Sequence, residues 1–238
     1  MEYTFTNEEL NAGKVFLINK NLDWTSFDVV KKVRNIIRSK IENKKIKVGH
    51  AGTLDPLATG LMIVCVGKET KNIEKYQQEP KEYLAELYLG KSTPSYDLET
   101  EVNKTYAIDH ITKDFIEEKL INFEGEIMQT PPIFSAKWIN GKRAYDYARK
   151  GKKIDLKPVK IKIYSIKIVD FKSPVLLLRI LCSKGTYIRA LARDIGLALN
   201  SGAYLQKLER IKIGNYLLEN AIQISDFEKK LKISKTNN

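Results

Sequence analysis

Apolar residues recur along the chain in two patterns, one typical of strands and the other typical of helices. Continuous or alternating apolar positions predict strands at 14–19, 61–66, 83–89 and 175–182. Isoleucines at 161, 163, 166 and 168 predict a further strand, whose alternation shifts near Ser165. The polar stretch 91–110 predicts a surface loop.

Helical spacing of apolar residues marks segments near 29–37, 115–123 and 188–199. The first follows a capping-box sequence from Thr25 to Asp28, and Ser225 with Glu228 predicts a second capping box for a short last helix. Residues from Lys232 onward are expected to be frayed. Strands and helices mix without regular strand–helix–strand alternation, so we predict an α+β fold with a central mixed or largely antiparallel sheet flanked by helices.

Positive charge is concentrated in two segments. The net charge is +12, yet residues 31–47 contain eight Lys or Arg and one acid, and residues 137–167 contain eleven and two. Such blocks attract phosphate backbones, although a lysine-rich composition with solvated faces explains them about as well. The second block also contains aromatic rings, which suit unpaired bases and favour a nucleic-acid partner. They are Trp138, Tyr145, Tyr147 and Tyr164.

Several classes of protein do not fit the composition. No apolar run approaches the ~20 residues that cross a bilayer, and the acidic, polar N-terminus lacks the features of a secretory signal. A cytoplasmic protein is therefore predicted. Cys65 and Cys182 lie in apolar runs and are expected to be buried, reduced thiols. Two scattered histidines and two cysteines do not make a zinc site, and we expect no metal and no cofactor.

The segment HAGTLDPLATG, from His50 to Gly60, surrounds one carboxylate with turn-forming residues. Pro56 restricts Asp55 to extended or turn conformations, and the glycines allow backbone angles that other residues avoid. A stiff loop that offers one acid to a pocket is a candidate chemical site.

Three further segments combine unusual residues. They are KEY from Lys81, QTPPIFSAK from Gln129 with GKRAY from Gly141, and CSKGTYIRALARDIG from Cys182. In the last, Gly185 breaks a strand, and the first helical turn is expected to present Tyr187 and Arg189. Together with HAGTLDPLATG, and in this order, these segments resemble the motifs of the TruB family of tRNA pseudouridine synthases over about residues 13–216.

The resemblance implies the pseudouridine-synthase fold and an isomerisation of uridine 55 in the tRNA T-arm. The N1–C1′ bond breaks, the base turns, and C5 joins C1′. Asp55 is implied to be the catalytic carboxylate, and attack on C6, attack on C1′ and a glycal route all remain open. A base inside a folded arm must be flipped out, and the two basic blocks are expected to supply the compensating RNA contacts.

The resemblance also assigns roles around Asp55. Arg189 is expected to pair with Asp55, keep it ionised and fix its direction with a bidentate fork. Tyr83 is expected to lie against the target base and help to move the C2′ proton, and Tyr187 to line the same pocket.

Three more substrate-binding residues follow from the same resemblance. His50 is expected to position the RNA beside the flipped base, and Leu208 to line the pocket. Lys20 is expected to support the Asp55 loop or the RNA backbone.

The chain departs from the family pattern at three places. Asn21 and Asp23 stand where proline and glycine are usual, which predicts a looser turn and an added negative charge. Glu209 stands where a basic residue is common and predicts one weaker phosphate contact. We expect a catalytic domain at 1–216 and a short C-terminal helix or tail at 217–238, too short for the additional RNA-binding (PUA) domain of longer members.

Two alternatives stay open: a tRNA-binding folding chaperone whose catalysis is dispensable, and a synthase that acts on another RNA. The retained set of Asp55, Tyr83 and Arg189 favours an enzyme. The expected partner is the tRNA T-arm, with no membrane, no obligate protein partner and a monomeric state.

Overall fold

The computed structural model describes residues 3–41, 45–134, 138–139, 142–143 and 156–234. The helices are α1 Asn7–Ala12, α2 Ser26–Lys40, α3 Ile73–Gln78, α4 Lys113–Leu120, α5 Ile188–Ala198 and α6 Ile224–Lys230. Short 3-10 helices lie at Gly67–Asn72, Ile121–Phe123 and Leu218–Asn220.

The first eight strands are β1 Tyr3–Phe5, β2 Lys14–Lys20, β3 Val48–His50, β4 Ala58–Val66, β5 Lys81–Leu89, β6 Lys91–Ser92, β7 Lys104–Thr105 and β8 Gly125–Gln129. The others are β9 Trp138–Ile139, β10 Lys142–Arg143, β11 Val159–Lys172, β12 Val175–Cys182, β13 Ala203–Ile213, β14 Tyr216–Leu217, β15 Ile222–Gln223 and β16 Leu231–Ile233.

The chain forms two compact units, one of Met1–Glu82 with Glu209–Asn238 and the other of Tyr83–Leu208. In the first unit the strand order is β15-β2-β4-β13, and β3 also pairs with β4. β2 and β4 are antiparallel, and their register sets Lys20 opposite Gly60. This register brings Lys20 to the end of β4 that follows the Asp55 loop.

Helix α2 begins as its sequence predicts. The Asp28 N–H donates to the Thr25 hydroxyl oxygen at 3.1 Å, and the Thr25 N–H donates to the Asp28 carboxylate at 3.0 Å. The apolar face of the helix is buried. This capping box places Ser26 in the first turn of the helix, with its side chain in the interior.

In the second unit the strand order is β13-β5-β12-β11-β8. β11 is antiparallel to β8 and β12, and its register shifts between Ile163 and Ser165 and again between Ile168 and Asp170. The first shift confirms the irregularity predicted near Ser165. The α+β class, with a mostly antiparallel sheet and flanking helices, is confirmed, as are the predicted strands and the helices α2, α4 and α5.

Three predictions about secondary structure were wrong or incomplete. Helix α6 begins at Ile224 after Gln223, which makes no side-chain cap, so Ser225 lies inside the helix and forms no capping box. Lys232 is not frayed, because it belongs to β16 and pairs with Thr4. β13 was missed, because its charged residues break the apolar alternation on which strand prediction depends.

The structure bears on two expectations that were drawn from the composition. Cys65 and Cys182 are buried free thiols, and burial raises the pKa of Cys65 to about 12. Within the described ranges, no helix is long and apolar enough to span a membrane. Parts of the predicted motifs and of the second basic block, at 135–137, 140–141 and 144–155, and the tail 235–238 lie outside the described residues.

Candidate active site

The loop around Asp55 is fixed to the first unit by its backbone. The Ser26 hydroxyl donates to the Leu54 carbonyl at 3.0 Å and accepts from the Leu54 N–H at 2.8 Å. Ser26 is 3% exposed, so both polar groups of Leu54 are satisfied away from water. The residue that directly precedes the acid is therefore held by helix α2.

Arg210 holds the same loop from strand β13. Its guanidinium donates to the carbonyls of Gly52 at 3.1 Å, Thr53 at 3.5 Å and Leu61 at 2.8 Å. The residue is 1% exposed. Sequence reasoning missed this role, because an arginine in a charged stretch is normally solvated, and the only signal was its position two residues after Leu208 in a matched segment.

Lys20 holds the side of the loop that follows Asp55. Its ammonium donates to the carbonyls of Asn21 at 2.9 Å, Trp24 at 2.5 Å and Pro56 at 3.2 Å. Burial lowers the pKa of Lys20 to about 8, and the negative charge of Asp55 opposes that shift. The side chain thus supports the turn at 21–24 and the loop together.

Asp23 closes the same turn in an unusual conformation. Its φ is +64°, in the left-handed region, and its N–H donates to the Pro56 carbonyl at 2.9 Å. Aspartate tolerates this region better than most residues, although glycine does so without strain. The looser turn expected at this position is not found, because Asp23 adopts the geometry that a glycine would supply.

His50 ends strand β3 at the entrance to the loop. Its Nδ1 is buried and makes no hydrogen bond with the residues that the structure describes. Burial lowers the pKa of His50, a backbone hydrogen bond with Gly52 opposes this shift, and the positive charge of Arg210 adds to it. The lowered pKa favours the neutral imidazole, which suits a positioning group better than a cation that binds phosphate.

In the second unit, the start of helix α5 is fixed by a buried glutamine. The Gln129 side chain accepts from the Tyr187 N–H at 2.9 Å and donates to the Tyr187 carbonyl at 3.1 Å. Gln129 opens the QTPPIFSAK segment and is fully buried. This two-way bond fixes the backbone of Tyr187, the residue that caps α5.

Arg189 lies in the first turn of α5 and is 4% exposed. Its guanidinium donates to the carbonyls of Ser95 at 3.3 Å and Phe134 at 2.9 Å, and its Nε lies 3.5 Å from the Asp97 carboxylate. Sequence reasoning missed Asp97, which it placed in a surface loop. The loop instead buries Thr93, Ser95 and Asp97, because each finds hydrogen bonds that the hydropathy pattern cannot reveal.

Tyr83 and Leu208 lie on β5 and β13, which are neighbouring strands of the second unit. They are 8% and 9% exposed. The structure thus brings Lys20, His50 and Asp55 to one loop region of the first unit, and Tyr187 and Arg189 to one helix start of the second. The pairing of Asp55 with Arg189 stays a prediction.

Comparison with known proteins identifies the class. Residues 36–188 match the model for the TruB family pseudouridylate synthase, N-terminal domain. The tRNA pseudouridine synthase B of Phocaeicola vulgatus is 54% identical over 215 residues, which are 90% of this chain and 92% of that protein. The Flavobacterium johnsoniae protein of the same name is 48% identical over 95% of this chain and 99% of its own length.

A solved structure supports the same class. The crystal structure of a Cbf5 complex with Nop10 and Gar1 contains a chain that is similar to this protein, with a TM-score of 0.71 and 27% sequence identity. The match covers 55% of that chain. The fold is therefore that of pseudouridine synthases, which are isomerases. The chain belongs to the TruB family of pseudouridylate synthases.

Proposed function

We propose that this protein isomerises uridine 55 in the T-arm of tRNA to pseudouridine, with Asp55 as the reacting carboxylate. The observation that carries the proposal is the immobilised Asp55 loop, held through Leu54 on one side and Pro56 on the other, in a chain 54% identical to a tRNA pseudouridine synthase B. A fixed carboxylate suits the reaction, because glycosidic cleavage and rejoining at carbon both need the acid at a defined distance from the base and the sugar.

The remaining roles are proposed from the family motifs. Arg189 is proposed to keep Asp55 ionised, and its own burial with Asp97 limits the directions in which its guanidinium points. Tyr83 is proposed to lie against the target base, and Tyr187 and Leu208 to line the pocket around it. His50 is proposed to occupy the space beside the extruded nucleotide as a neutral ring.

Part of the RNA contact is proposed for the exposed face of β8, β11 and β12. Lys160 and Lys162 project from one face of β11 beside Tyr164, which is 47% exposed, and the Lys162 ammonium lies 5.3 Å from the centre of that ring. Lys167 stands opposite Arg179 in the register of β11 and β12, and both are exposed. Cations around a flat ring suit a phosphate backbone with unpaired bases.

The test is incubation with unmodified tRNA, followed by chemical mapping of pseudouridine at each position. The wild-type protein should modify uridine 55 alone. Asp55→Asn should form no pseudouridine while its tRNA affinity stays within about threefold, because the change removes the reacting charge and keeps the shape of the side chain. The matched control is Asp109→Asn, an exposed acid in a turn, which should behave as wild type.

Two results would contradict the proposal. Conversion by Asp55→Asn at a near-normal rate would remove Asp55 from the chemistry. Modification at another uridine or in another RNA would change the substrate. If Asp55→Asn accelerates tRNA refolding as the wild type does, then folding assistance is a separate activity of the protein.

The organisation of the active protein is also part of the proposal. We place the catalytic domain at 1–216 and treat 217–238 as a short C-terminal segment, in which β15 pairs with β2 and Phe227 packs on Phe16 at a ring distance of 4.9 Å. The protein is proposed to act as a monomer in the cytoplasm, where it meets tRNA without an obligate protein partner. Light scattering of the purified protein, alone and with tRNA, tests the oligomeric state.

A further inference from the structure

Arg210 is a buried cation, and the proposed function assigns it no part in the reaction. A charge removed from water is strongly destabilising unless its hydrogen-bonding groups are satisfied. The guanidinium meets this requirement through the carbonyls of Gly52, Thr53 and Leu61. Two of these carbonyls lie just before Asp55 and the third lies just after the loop, so one rigid group ties the two ends of the loop together.

The backbone of Arg210 also contacts the loop segment. Gly60 has a φ of +105°, and a Cβ atom at that position would run into the backbone of Arg210. Gly60 therefore allows the strand end to approach β13 closely enough for the guanidinium to reach Leu61 and Gly52. Gly60 and Arg210 therefore depend on each other, because the close approach of their backbones lets the Arg210 side chain reach these carbonyls.

We propose that Arg210 is a positioning residue for the uridine isomerisation. It acts through the carbonyls of Gly52 and Thr53, which fix the path of the chain into Asp55 and so the place of the reacting carboxylate. The proposal rests on the proposed function. A fork with several donors in one plane suits this task, since a lysine ammonium at the same place lacks the geometry to serve carbonyls on both sides of the loop.

Electrostatics agree with this placement. The positive charge of Arg210 contributes to the lowered pKa of His50 and opposes protonation of Lys20. Arg210 is thus close enough to influence two other groups around the loop. Its removal should change the titration of His50 as well as the geometry of the loop.

The test compares Arg210→Lys and Arg210→Gln with the wild type in single-turnover conversion of tRNA at saturating enzyme. Misplacement of a reacting group by about 1 Å reduces rate by about 100-fold, so we expect a fall of about 10- to 100-fold in the rate constant and tRNA affinity within about threefold. Arg210→Lys should retain more activity than Arg210→Gln, because it keeps the charge.

Hydrogen exchange supplies a readout that a general loss of stability would not produce. The Ala58 N–H donates to the Asp55 carbonyl at 3.1 Å, so exchange in peptides over 51–60 should accelerate in Arg210→Lys. Peptides over Val175–Cys182 should be unchanged. The control is Phe227→Leu, which should lower the stability of the same unit without altering the rate constant or exchange in 51–60.

Three outcomes would overturn the inference. A normal rate constant in both variants would show that the loop does not need the guanidinium. A loss confined to tRNA affinity would make Arg210 an RNA-binding residue. An equal loss of rate in Phe227→Leu would reduce the effect to stability. If the wild-type protein itself fails to modify uridine 55, then the proposed function fails and the role of Arg210 in the loop remains measurable by hydrogen exchange.

Discussion

The hydroxyl of Ser26 satisfies both backbone polar groups of Leu54, accepting from its N–H at 2.8 Å and donating to its carbonyl at 3.0 Å. A side chain in the first turn of a helix therefore replaces the backbone partner that the loop lacks. The consequence is that the residue before Asp55 is fixed by a single oxygen atom.

Ser26→Ala should destabilise the protein and slow the reaction. The change leaves two buried backbone groups unsatisfied, which reduces the free energy of unfolding by about 1–3 kcal/mol. The rate constant for pseudouridine formation should fall, while tRNA affinity is retained. Ser39→Ala is the matched control, because the Ser39 hydroxyl bonds only its own helix among the contacts described, at the Ile36 carbonyl. Denaturant unfolding and single-turnover assays test this prediction. A Ser26→Ala variant that matches Ser39→Ala in both measurements would contradict the role given to the Ser26 hydroxyl.

Two substitutions of Asp23 should separate the effect of its backbone conformation from the effect of its charge. Asp23→Gly relieves a left-handed backbone and is expected to raise the free energy of unfolding by up to about 1 kcal/mol. Asp23→Asn keeps the conformation and removes the negative charge, so it should lower stability slightly, because that charge favours the buried Lys20 ammonium, and it should tighten tRNA binding at low salt. Asp109→Gly, at a position without a positive φ, should instead lower stability. Destabilisation by Asp23→Gly, measured in urea, would mean that the Asp23 side chain contributes more than its backbone strain removes.

Loss of the Asp97 carboxylate should weaken the fixation of Arg189. Asp97→Asn removes the charge that faces the Arg189 Nε at 3.5 Å, in a pair of which both side chains are less than a tenth exposed. Breaking a buried pair of this kind reduces the free energy of unfolding by about 3 kcal/mol, and the rate constant should fall as well. Glu86→Gln, which removes the pair with the exposed Lys207, should alter stability by about 0.5 kcal/mol or less. Equal effects of the two variants in thermal unfolding would show that the Asp97–Arg189 pair contributes no more to stability than the Glu86–Lys207 pair.

Lys20 should give stability a distinctive dependence on pH. Its pKa is about 8 in the folded protein and 10.5 in the unfolded chain, so between these values the unfolded chain binds more protons. Stability from this group therefore rises with pH from about 8 to about 10.5, by about 3 kcal/mol in total. Lys20→Met removes the contribution, so its unfolding free energy relative to wild type should decrease over that range. A difference between the two proteins that stays constant from pH 7 to pH 10.5 would contradict the lowered pKa.

Much of the fold and part of the site follow from the sequence. Helix α2 was predicted with its cap, because Thr25 and Asp28 satisfy local hydrogen bonds that depend only on spacing. The Asp55 loop was predicted because proline restricts the backbone and glycine allows angles that other residues avoid, wherever these residues occur. Both signals are local, and neither depends on distant parts of the chain.

The parts that the sequence did not reveal are buried polar residues. Arg210 and Asp97 have the composition of surface positions, and each is stabilised inside by partners far away in sequence, such as Gly52 for Arg210 and Arg189 for Asp97. The pattern of apolar residues carries no information about such partners. The same limit explains why β13 was missed, since a strand that buries an arginine breaks the alternation expected of it.

Hydrogen bonds join the Asp55 loop to its unit at three points, from Leu54 to helix α2, from Gly52 to β13 and from Pro56 to β2. Heat should therefore abolish turnover at the temperature at which the surrounding unit melts, and not below it. In an organism that needs this isomerase at a higher temperature, any substitution that stabilises the surrounding unit should therefore extend the temperature range of activity, even when it lies far from Asp55.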